Sequence, residues 1–379
     1  MAPAAVVIGG GVIGLSVALE LVRRGLAVEV LDDGRLEGAS TLAAAGMLAP
    51  ISEAEIEEPA VLDLALDSLD RFPGFVERLE ALTGQGCGYR TDGTLWVAIK
   101  RDDVGDLQHL QETVRDRLGP AAARRLTAAE VLEREPHMSG RVLEGLCVER
   151  DLQVDPRALA SALRSGVLAL GGTVRRGVRV TEIVASGGRV RGVDAAGPDG
   201  PFRRTCDVVV LAAGAWSTSG IRSPLAAPAI RPVKGQLLRL RGAPLLRHVV
   251  RHPDVYLVPR DDGELLVGAT MEEVGFDASA TAGAIYDLLR RARLLVPGLY
   301  DLALAEVSVG FRPVSRDNRP AIGPTSILGL YAATGHGRQG VLLAPATAHY
   351  VGECVTTGRV PDAVRSFSTA DAVDAAVMR

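Results

Sequence analysis

Three glycines near the N-terminus have the spacing of a phosphate-binding turn. Gly9, Gly11 and Gly14 lie between the apolar run "AAVVI" and a segment of helical periodicity, "VIGLSVALELVRRG". In a strand–turn–helix unit such glycines permit the tight turn, let the backbone approach a pyrophosphate and let the helix pack on the strand. Asp32, or its neighbour Asp33, ends the next apolar run and could accept a hydrogen bond from a ribose hydroxyl. Because an acid here favours a free 2′-hydroxyl, the sequence predicts FAD or NAD rather than NADP.

A second stretch, "STLAAAGMLAP", favours FAD over NAD. Ser40 and Thr41 offer hydroxyl groups to phosphate, and the small residues from Ala45 to Met47 would allow a flat ring to approach closely. A single nicotinamide-binding domain does not need these additional pieces. The other predicted cofactor contacts are Val12, Ile13, Gly46, Val180, Ala213, Gly214, His336, Gly337, Arg338, Gln339, Gly340, Val341 and Leu342.

The elements that must position these residues alternate along the chain. Residues 4–32 have a βαβ pattern, and "CDVVVLAAGAW" is apolar throughout, as expected of a strand covered on both faces. From residue 230, "GQLLRLRG", "DVYLVPR" and "GELLVGAT" predict an antiparallel sheet, with "RDDGE" as a hairpin turn. We therefore predict an α/β protein in which a Rossmann-like parallel-sheet domain (1–82, 150–220 and 305–379) is interwoven with a mostly antiparallel substrate domain (83–149 and 221–304).

Three of the expected helices contain residues that predict where a helix starts, breaks or is distorted. Residues 59–84 have helical periodicity, and Pro73 is expected to break them into two pieces because proline removes a helix donor. Asp155 and Pro156 are typical of a helix start. "GVLLAPATA" is expected to begin a helix at Gly340 whose positive end faces the cofactor, with Pro345 distorting the first turn.

Composition excludes several classes of protein. The 379 residues carry a formal net charge of −4 with no basic block, which argues against nucleic-acid binding. No apolar run reaches the roughly 20 residues of a membrane-spanning helix. Four separated cysteines without a CxxC motif indicate buried, reduced thiols in a cytoplasmic protein. His248 and His252 lie in a strand-like stretch without an evident acidic or thiol partner, so we expect no metal site.

A set of motifs, in order, resembles the D-amino-acid oxidase superfamily of flavoproteins and, within it, the bacterial glycine oxidases. The motifs are "VVIGGGVIG", "AAAGM", "VDP", "VVLAAGAWS", "PVKGQ", "YLVPR", "GFRPVSRDNRPAIG" and "TGHGRQGVLLAPAT", and they span nearly the whole chain. The resemblance implies non-covalent FAD and oxidation of a small amino acid by O2. It also implies hydride transfer from the substrate Cα to flavin N5, without an obligatory catalytic side chain. The resemblance further implies a homo-oligomer, such as a tetramer, and a functional link to thiazole synthase in thiamine biosynthesis.

The same resemblance implies the substrate-binding residues. Arg312 would pair with the substrate carboxylate, which suits the planar, permanently charged guanidinium group. Tyr256 could place its hydroxyl on the same carboxylate, Arg338 would lie near it, and Met271 and Met47 could form walls of the pocket. Asp254 stands where some glycine oxidases have histidine, which leaves the substrate range open among glycine, sarcosine and small D-amino acids.

The alternatives at this stage are other flavoproteins. A sarcosine oxidase would hold FAD through a cysteine, but 309–340 contains none. A D-amino-acid dehydrogenase would deliver electrons to a membrane quinone, and no basic amphipathic helix favours it. A flavin-binding protein without turnover is the most distant alternative.

Overall fold

The computed structural model describes residues 4–53, 59–224 and 229–369. In chain order its strands are β1 (Ala4–Ile8), β2 (Ala27–Asp32), β3 (Met47–Leu48), β4 (Thr94–Ala98), β5 (Arg124–Thr127), β6 (Glu144–Val148), β7 (Leu152–Gln153), β8 (Thr173–Arg176), β9 (Arg179–Ser186), β10 (Arg189–Gly197), β11 (Gly200–Thr205), β12 (Val208–Leu211), β13 (Arg231–Arg241), β14 (Val249–His252), β15 (Val255–Pro259), β16 (Glu264–Gly268), β17 (Ala303–Val314), β18 (Ala321–Pro324) and β19 (Leu330–Thr334).

The helices lie between these strands. They are α1 (Val12–Arg23), α2 (Ser40–Ala43), α3 (Pro59–Thr83), α4 (Arg101–Leu118), α5 (Ala128–Arg134), α6 (Pro156–Ala169), α7 (Ala282–Leu295), α8 (Ala344–Thr357) and α9 (Asp362–Arg365), with 3-10 turns at Gly214–Trp216, Pro297–Asp301 and Gly337–Gln339. None of the helices in the described ranges is long and apolar enough to cross a bilayer.

A six-stranded sheet in the order β18-β19-β12-β1-β2-β8 carries the glycine turn, and all its strands are parallel except β18. Its central strands are buried on both faces. Val7 and Val210 pack toward α1, α3, α6 and α8, whereas Val6 and Val209 pack toward the three-stranded sheet β11-β10-β9. This double coverage explains the continuous apolar runs of β1 and β12.

An eight-stranded sheet in the order β17-β13-β16-β15-β14-β4-β6-β5 forms the second layer. Its neighbouring strands are antiparallel except for the pair β14 and β4. Leu288, Ala292 and Leu295 of α7 pack against one face. The predicted α/β class, with a parallel sheet and a mostly antiparallel one, is confirmed.

One detail of the fold differs from expectation. α3 runs unbroken through Pro73, so the predicted break is wrong. Leu69 and Phe72 before the proline and Val76 and Leu79 after it are buried in one core, and this shared packing offsets the single lost hydrogen bond. The division into two domains stays a prediction, but residue 305 falls inside β17, which pairs with β13 along the eight-stranded sheet.

Candidate functional site

The glycine turn between β1 and α1 requires glycine at two positions for steric reasons. Gly9 has φ +109°, and a Cβ there would lie 2.4 Å from the carbonyl oxygen of Ala212. A Cβ on Gly14 would lie 2.0 Å from the carbonyl oxygen of Gly9, so only glycine lets α1 approach the turn this closely. The amide of Val12, in the first turn of α1, donates to Thr41 Oγ1 at 3.1 Å.

The carboxylate of Asp32 faces this turn from the end of β2. Its Oδ2 accepts from the amide of Gly10 at 2.6 Å and its Oδ1 from the amide of Gly34 at 2.9 Å. Asp33 accepts from the amide of Arg35 at 3.0 Å. Both acids line the cavity described below.

Basic side chains that the sequence reasoning missed surround this end of the site. They are Arg35, Arg164, Arg176 and Arg179, and each lines the same cavity as Asp32. For Arg176 and Arg179 the available signal was the run "VRRGVR", which joins β8 to β9. Several arginines beside a glycine turn favour an anionic ligand such as a pyrophosphate.

One cavity of about 490 Å³ joins the glycine turn to the eight-stranded sheet. Its size falls in the range of small-molecule and cofactor sites. Nearly all the predicted cofactor and substrate residues line it, and the exceptions are Gly14, Gln339 and Leu342. Gly14 lies behind the turn, Leu342 is buried in the helical core, and Gln339 lines a smaller neighbouring cavity of about 290 Å³.

The segment 40–47 forms the wall between the two sheets. The hydroxyl of Ser40 donates to the carbonyl of Phe311, which ties α2 to β17. Gly46 has φ +79°, and a Cβ there would lie 1.9 Å from the carbonyl oxygen of Val154. Met47 packs with Ala45 in a small apolar cluster on the eight-stranded sheet. This segment therefore presents backbone and small side chains to the cavity.

Arg312 projects from β17 into the cavity on the sheet side. Its side chain lies across Gly235, where an added Cβ would be 2.5 Å from Nη1, and Nη1 donates to the carbonyl of Thr270 at 3.1 Å. Its guanidinium also lies close to the Tyr256 hydroxyl. Burial raises the pKa of Tyr256, although the Arg312 charge opposes the effect, so the hydroxyl stays protonated near neutrality and can donate. Arg312 and Tyr256 together can hold one carboxylate.

Met271, 66% exposed, lies at the mouth of the cavity, where it also lines the smaller one. Met47 is half-buried deeper in the site. Met47 and Met271 therefore both line the cavity, but Met271 does so only at its mouth.

The loop after β19 lines the cavity beside β17, where His336 forms an isolated antiparallel bridge with Val314. His336 is buried, its Nε2 lies 3.0 Å from Thr347 Oγ1, and burial lowers its pKa to about 3. It is therefore neutral at physiological pH. Gly337, Arg338, Gly340 and Val341 also line the cavity.

The helix expected at Gly340 begins at Ala344 instead, so that prediction is wrong. A 3-10 turn and the segment 340–343 precede it, which places Pro345 in the first turn of α8, where its missing N–H costs no helical hydrogen bond. The Ser68 hydroxyl accepts from the amide of Ala346 at 3.2 Å. The residues that face the cavity therefore belong to the turn rather than to α8.

A charged group at the cavity's sheet end was not anticipated. Arg251 on β14 and Glu53 form an ion pair, and Glu53 Oε2 also lies 4.0 Å from Arg338 Nε. Asp254 lines the cavity too, with Lys100 Nζ at 3.8 Å. No motif marked Arg251 or Glu53, because they are far apart in sequence and only the fold brings them together.

His248 and His252 have carboxylate partners that the sequence did not reveal. His248 Nδ1 lies 2.6 Å from Glu135 Oε1, and His252 Nε2 lies 3.0 Å from Asp103 Oδ2. All four side chains are buried. Within the described ranges, no group of three or more His, Cys, Asp or Glu side chains could hold a metal ion.

The shape and lining of the cavity fit an elongated cofactor whose central part is negatively charged. The glycine turn leaves no room for side chains at Gly9 and Gly14, arginines surround the Asp32 end, and the cavity continues to the sheet face that carries Arg312. A dinucleotide site that opens onto a sheet-lined substrate pocket defines the class of two-domain flavin-dependent oxidoreductases.

The chain belongs to the FAD dependent oxidoreductase (DAO) family, whose model matches residues 4–354. It is an FAD-dependent enzyme of the D-amino-acid oxidase superfamily, as its motifs predicted, and glycine oxidases are among its homologues.

The relatives support this assignment over most of the chain. A bifunctional ThiO/ThiG protein of Synechocystis sp. is 37% identical over 375 residues, which cover 96% of this chain and 53% of that protein. The chain thus spans about half the length of the first curated relatives it matches. The crystal structure of glycine oxidase from Geobacillus kaustophilus matches with a TM-score of 0.88 and 30% identity, covering 97% of this chain and 99% of that one. Iminodiacetate oxidase from Chelativorans sp. matches with a TM-score of 0.83 and 28% identity, covering 96% and 98%.

Proposed function

We propose that this enzyme oxidises glycine, and also sarcosine or small D-amino acids, with O2 as the electron acceptor. The single observation that carries the proposal is the pair Arg312 and Tyr256, which projects into the cavity that begins at the glycine turn. Arg312 would bind the substrate carboxylate in a bidentate manner, and the protonated Tyr256 would donate a further hydrogen bond. The glycine oxidase relatives support this choice of substrate.

The chain's own residues would orient the substrate rather than react with it. FAD, when bound, supplies the chemistry by accepting a hydride from the substrate Cα. Arg312 and Tyr256 fix the carboxylate end, which leaves Cα and the amine toward the cavity interior. His336 is neutral, so it adds no positive charge that would oppose binding of an amine. Glycine would lose two electrons and two protons to give the imine, O2 would be reduced to H2O2, and water would release glyoxylate and ammonia.

FAD would be held without a covalent bond. The cysteines Cys87, Cys147, Cys206 and Cys354 are all buried, and in the described part of the chain none of them lines the cavity. Acid precipitation of the protein should therefore release the yellow cofactor into solution.

The product would feed thiazole formation in thiamine biosynthesis. The relatives in which a ThiO portion is fused to ThiG support this placement. A cytoplasmic location agrees with the four reduced cysteines. Assembly into a homo-oligomer stays a prediction.

The test is a substrate panel on FAD-loaded protein. Glycine, sarcosine, D-alanine and iminodiacetate are added anaerobically while the flavin absorbance is followed, and H2O2 is measured in air. Bleaching by glycine with H2O2 formation is the expected result. Bleaching by none of the amines would refute the proposal, and reduction of a dye without O2 uptake would indicate a dehydrogenase instead.

A further inference from the structure

Arg251 lies beside the proposed carboxylate site. It is directly opposite Tyr256 in the antiparallel pair of β14 and β15, so both side chains leave the same face of the sheet. In the order β17-β13-β16-β15-β14, Arg312 is on one side of Tyr256 and Arg251 on the other. Two guanidinium groups therefore flank one tyrosine along the cavity floor.

The Arg251 guanidinium is held in place by its neighbours. Its carbon lies 5.4 Å from the centre of the Trp96 ring, and Nη1 donates to Glu53. Glu53 follows a turn fixed by the buried carboxylate of Asp151, which accepts from the amides of Ile51 at 3.2 Å and Ser52 at 2.9 Å. A guanidinium stacked and paired in this way loses little further freedom when it binds an anion.

Arg251 nevertheless has unused hydrogen-bonding capacity. In the part of the chain that the structure describes, its Nε is a buried donor without a partner, and so is Trp96 Nε1 beside it. Arg251 itself lines the cavity, and in the described residues Nη1 is the nitrogen that donates to Glu53, although a guanidinium group carries five N–H donors. Glycine, whose single carboxylate would occupy Arg312, supplies no second carboxylate for this group.

We infer that Arg251 is a specificity-determining residue that binds a second carboxylate of the substrate. The inference rests on the proposed function and deepens it, because it adds amines with two carboxylates to the substrate class, such as iminodiacetate or D-aspartate. One carboxylate binds Arg312 and Tyr256, and the other binds Arg251 in place of, or beside, Glu53. Glu53 stays paired with Arg251 when a monocarboxylic substrate is bound, which allows glycine to use the same pocket.

Binding of unreactive acids tests this role without turnover. Thiodiacetate has two carboxylates and no amine, and (methylthio)acetate is its counterpart with one carboxylate. Their dissociation constants are measured from the perturbation of the flavin spectrum in FAD-loaded protein. We expect the diacid to bind on the order of 10-fold tighter than the monoacid, equivalent to one charge-assisted contact, and Arg251→Met to bring this ratio close to 1.

Two further variants complete the design. Arg247→Met is the matched control, because Arg247 is 73% exposed, pairs with Asp92 and lies outside the cavity, so the ratio should be unchanged. Glu53→Gln removes the competing carboxylate and should increase the ratio. A ratio that Arg251→Met leaves unchanged, or equal weakening of both acids, would overturn the inference. Failure of the proposed function would instead appear as absence of flavin bleaching by every amine, with the binding ratio still measurable.

Discussion

Replacement of Arg312 by methionine should weaken binding of the substrate carboxylate. Methionine roughly keeps the length of the side chain but removes the charge and every donor. Nη1 of Arg312 already donates to the Thr270 carbonyl, which leaves the other donors of the fork for a carboxylate. Loss of one partner of a charged, hydrogen-bonded pair costs about 2–5 kcal/mol when the pair is buried. Because Arg312 is half-buried, we take about 3 kcal/mol, or on the order of 100-fold.

Steady-state kinetics with glycine and titration with acetate measure this loss. The interaction is present in the bound substrate, so the KM for glycine and the dissociation constant of acetate should both rise. Arg312→Lys keeps the charge without the fork and should lie between wild type and Arg312→Met. Arg241→Met is the control, since Arg241 is 60% exposed and pairs with Asp262. The reasoning is refuted if Arg312→Met binds FAD and acetate as wild type does.

Three other predictions concern the cofactor turn, stability and pH. Gly14→Val should abolish FAD retention, measured as flavin per protein after gel filtration, because a Cβ would lie 2.0 Å from the Gly9 carbonyl oxygen. The control Gly283→Ala, at a helical position with open space around it, should retain FAD, and its free energy of unfolding should increase by up to about 1 kcal/mol. Retention of FAD by Gly14→Val would contradict the steric argument. Burial raises the pKa of Asp151 to about 7, so its contribution to the free energy of unfolding is full below about pH 4 and is lost as pH rises through 7. The free energy of unfolding in urea should therefore decline less between pH 4 and pH 7 in Asp151→Asn than in wild type, by on the order of 4 kcal/mol at most. An identical decline in both proteins would contradict the raised pKa of Asp151. Burial lowers the pKa of His336 to about 3, so His336 does not titrate near neutral pH. We expect kcat/KM to rise with pH because the substrate amine must be neutral to react, and we expect this rise to persist in His336→Gln. Loss of that rise in the variant would show that His336 titrates in the reaction.

The sequence was sufficient for features that depend on local chemistry. The glycine spacing before α1 predicted the turn because Gly9 needs a positive φ and Gly14 a close helix approach, and both constraints act within a few residues. Asp155 predicted a helix start for the same reason, since its side chain caps the nearby amides of Arg157 and Ala158. The predicted helix break at Pro73 was wrong because burial of both halves of α3 in one core outweighs the loss of one hydrogen bond.

The sequence was insufficient where partners come from distant segments. Arg312 was assigned through a motif, but Gly235, which supports it, lies on β13, and the Thr270 carbonyl that accepts from Nη1 lies just after β16. No motif marked Arg251, because its place in the site depends on its register with Tyr256 and its ion pair with Glu53.

By itself, the sequence determined the dinucleotide turn, the strand and helix types and the family, because each depends on short spacings or on motifs read in order. Only the tertiary structure decided which charges meet in one cavity. Strand register places Arg251 opposite Tyr256, and burial makes His336 neutral and, among the described residues, leaves donors on Arg251 and Trp96 without partners. These properties depend on distances between residues remote in the chain and on exclusion of water, and no local pattern specifies either.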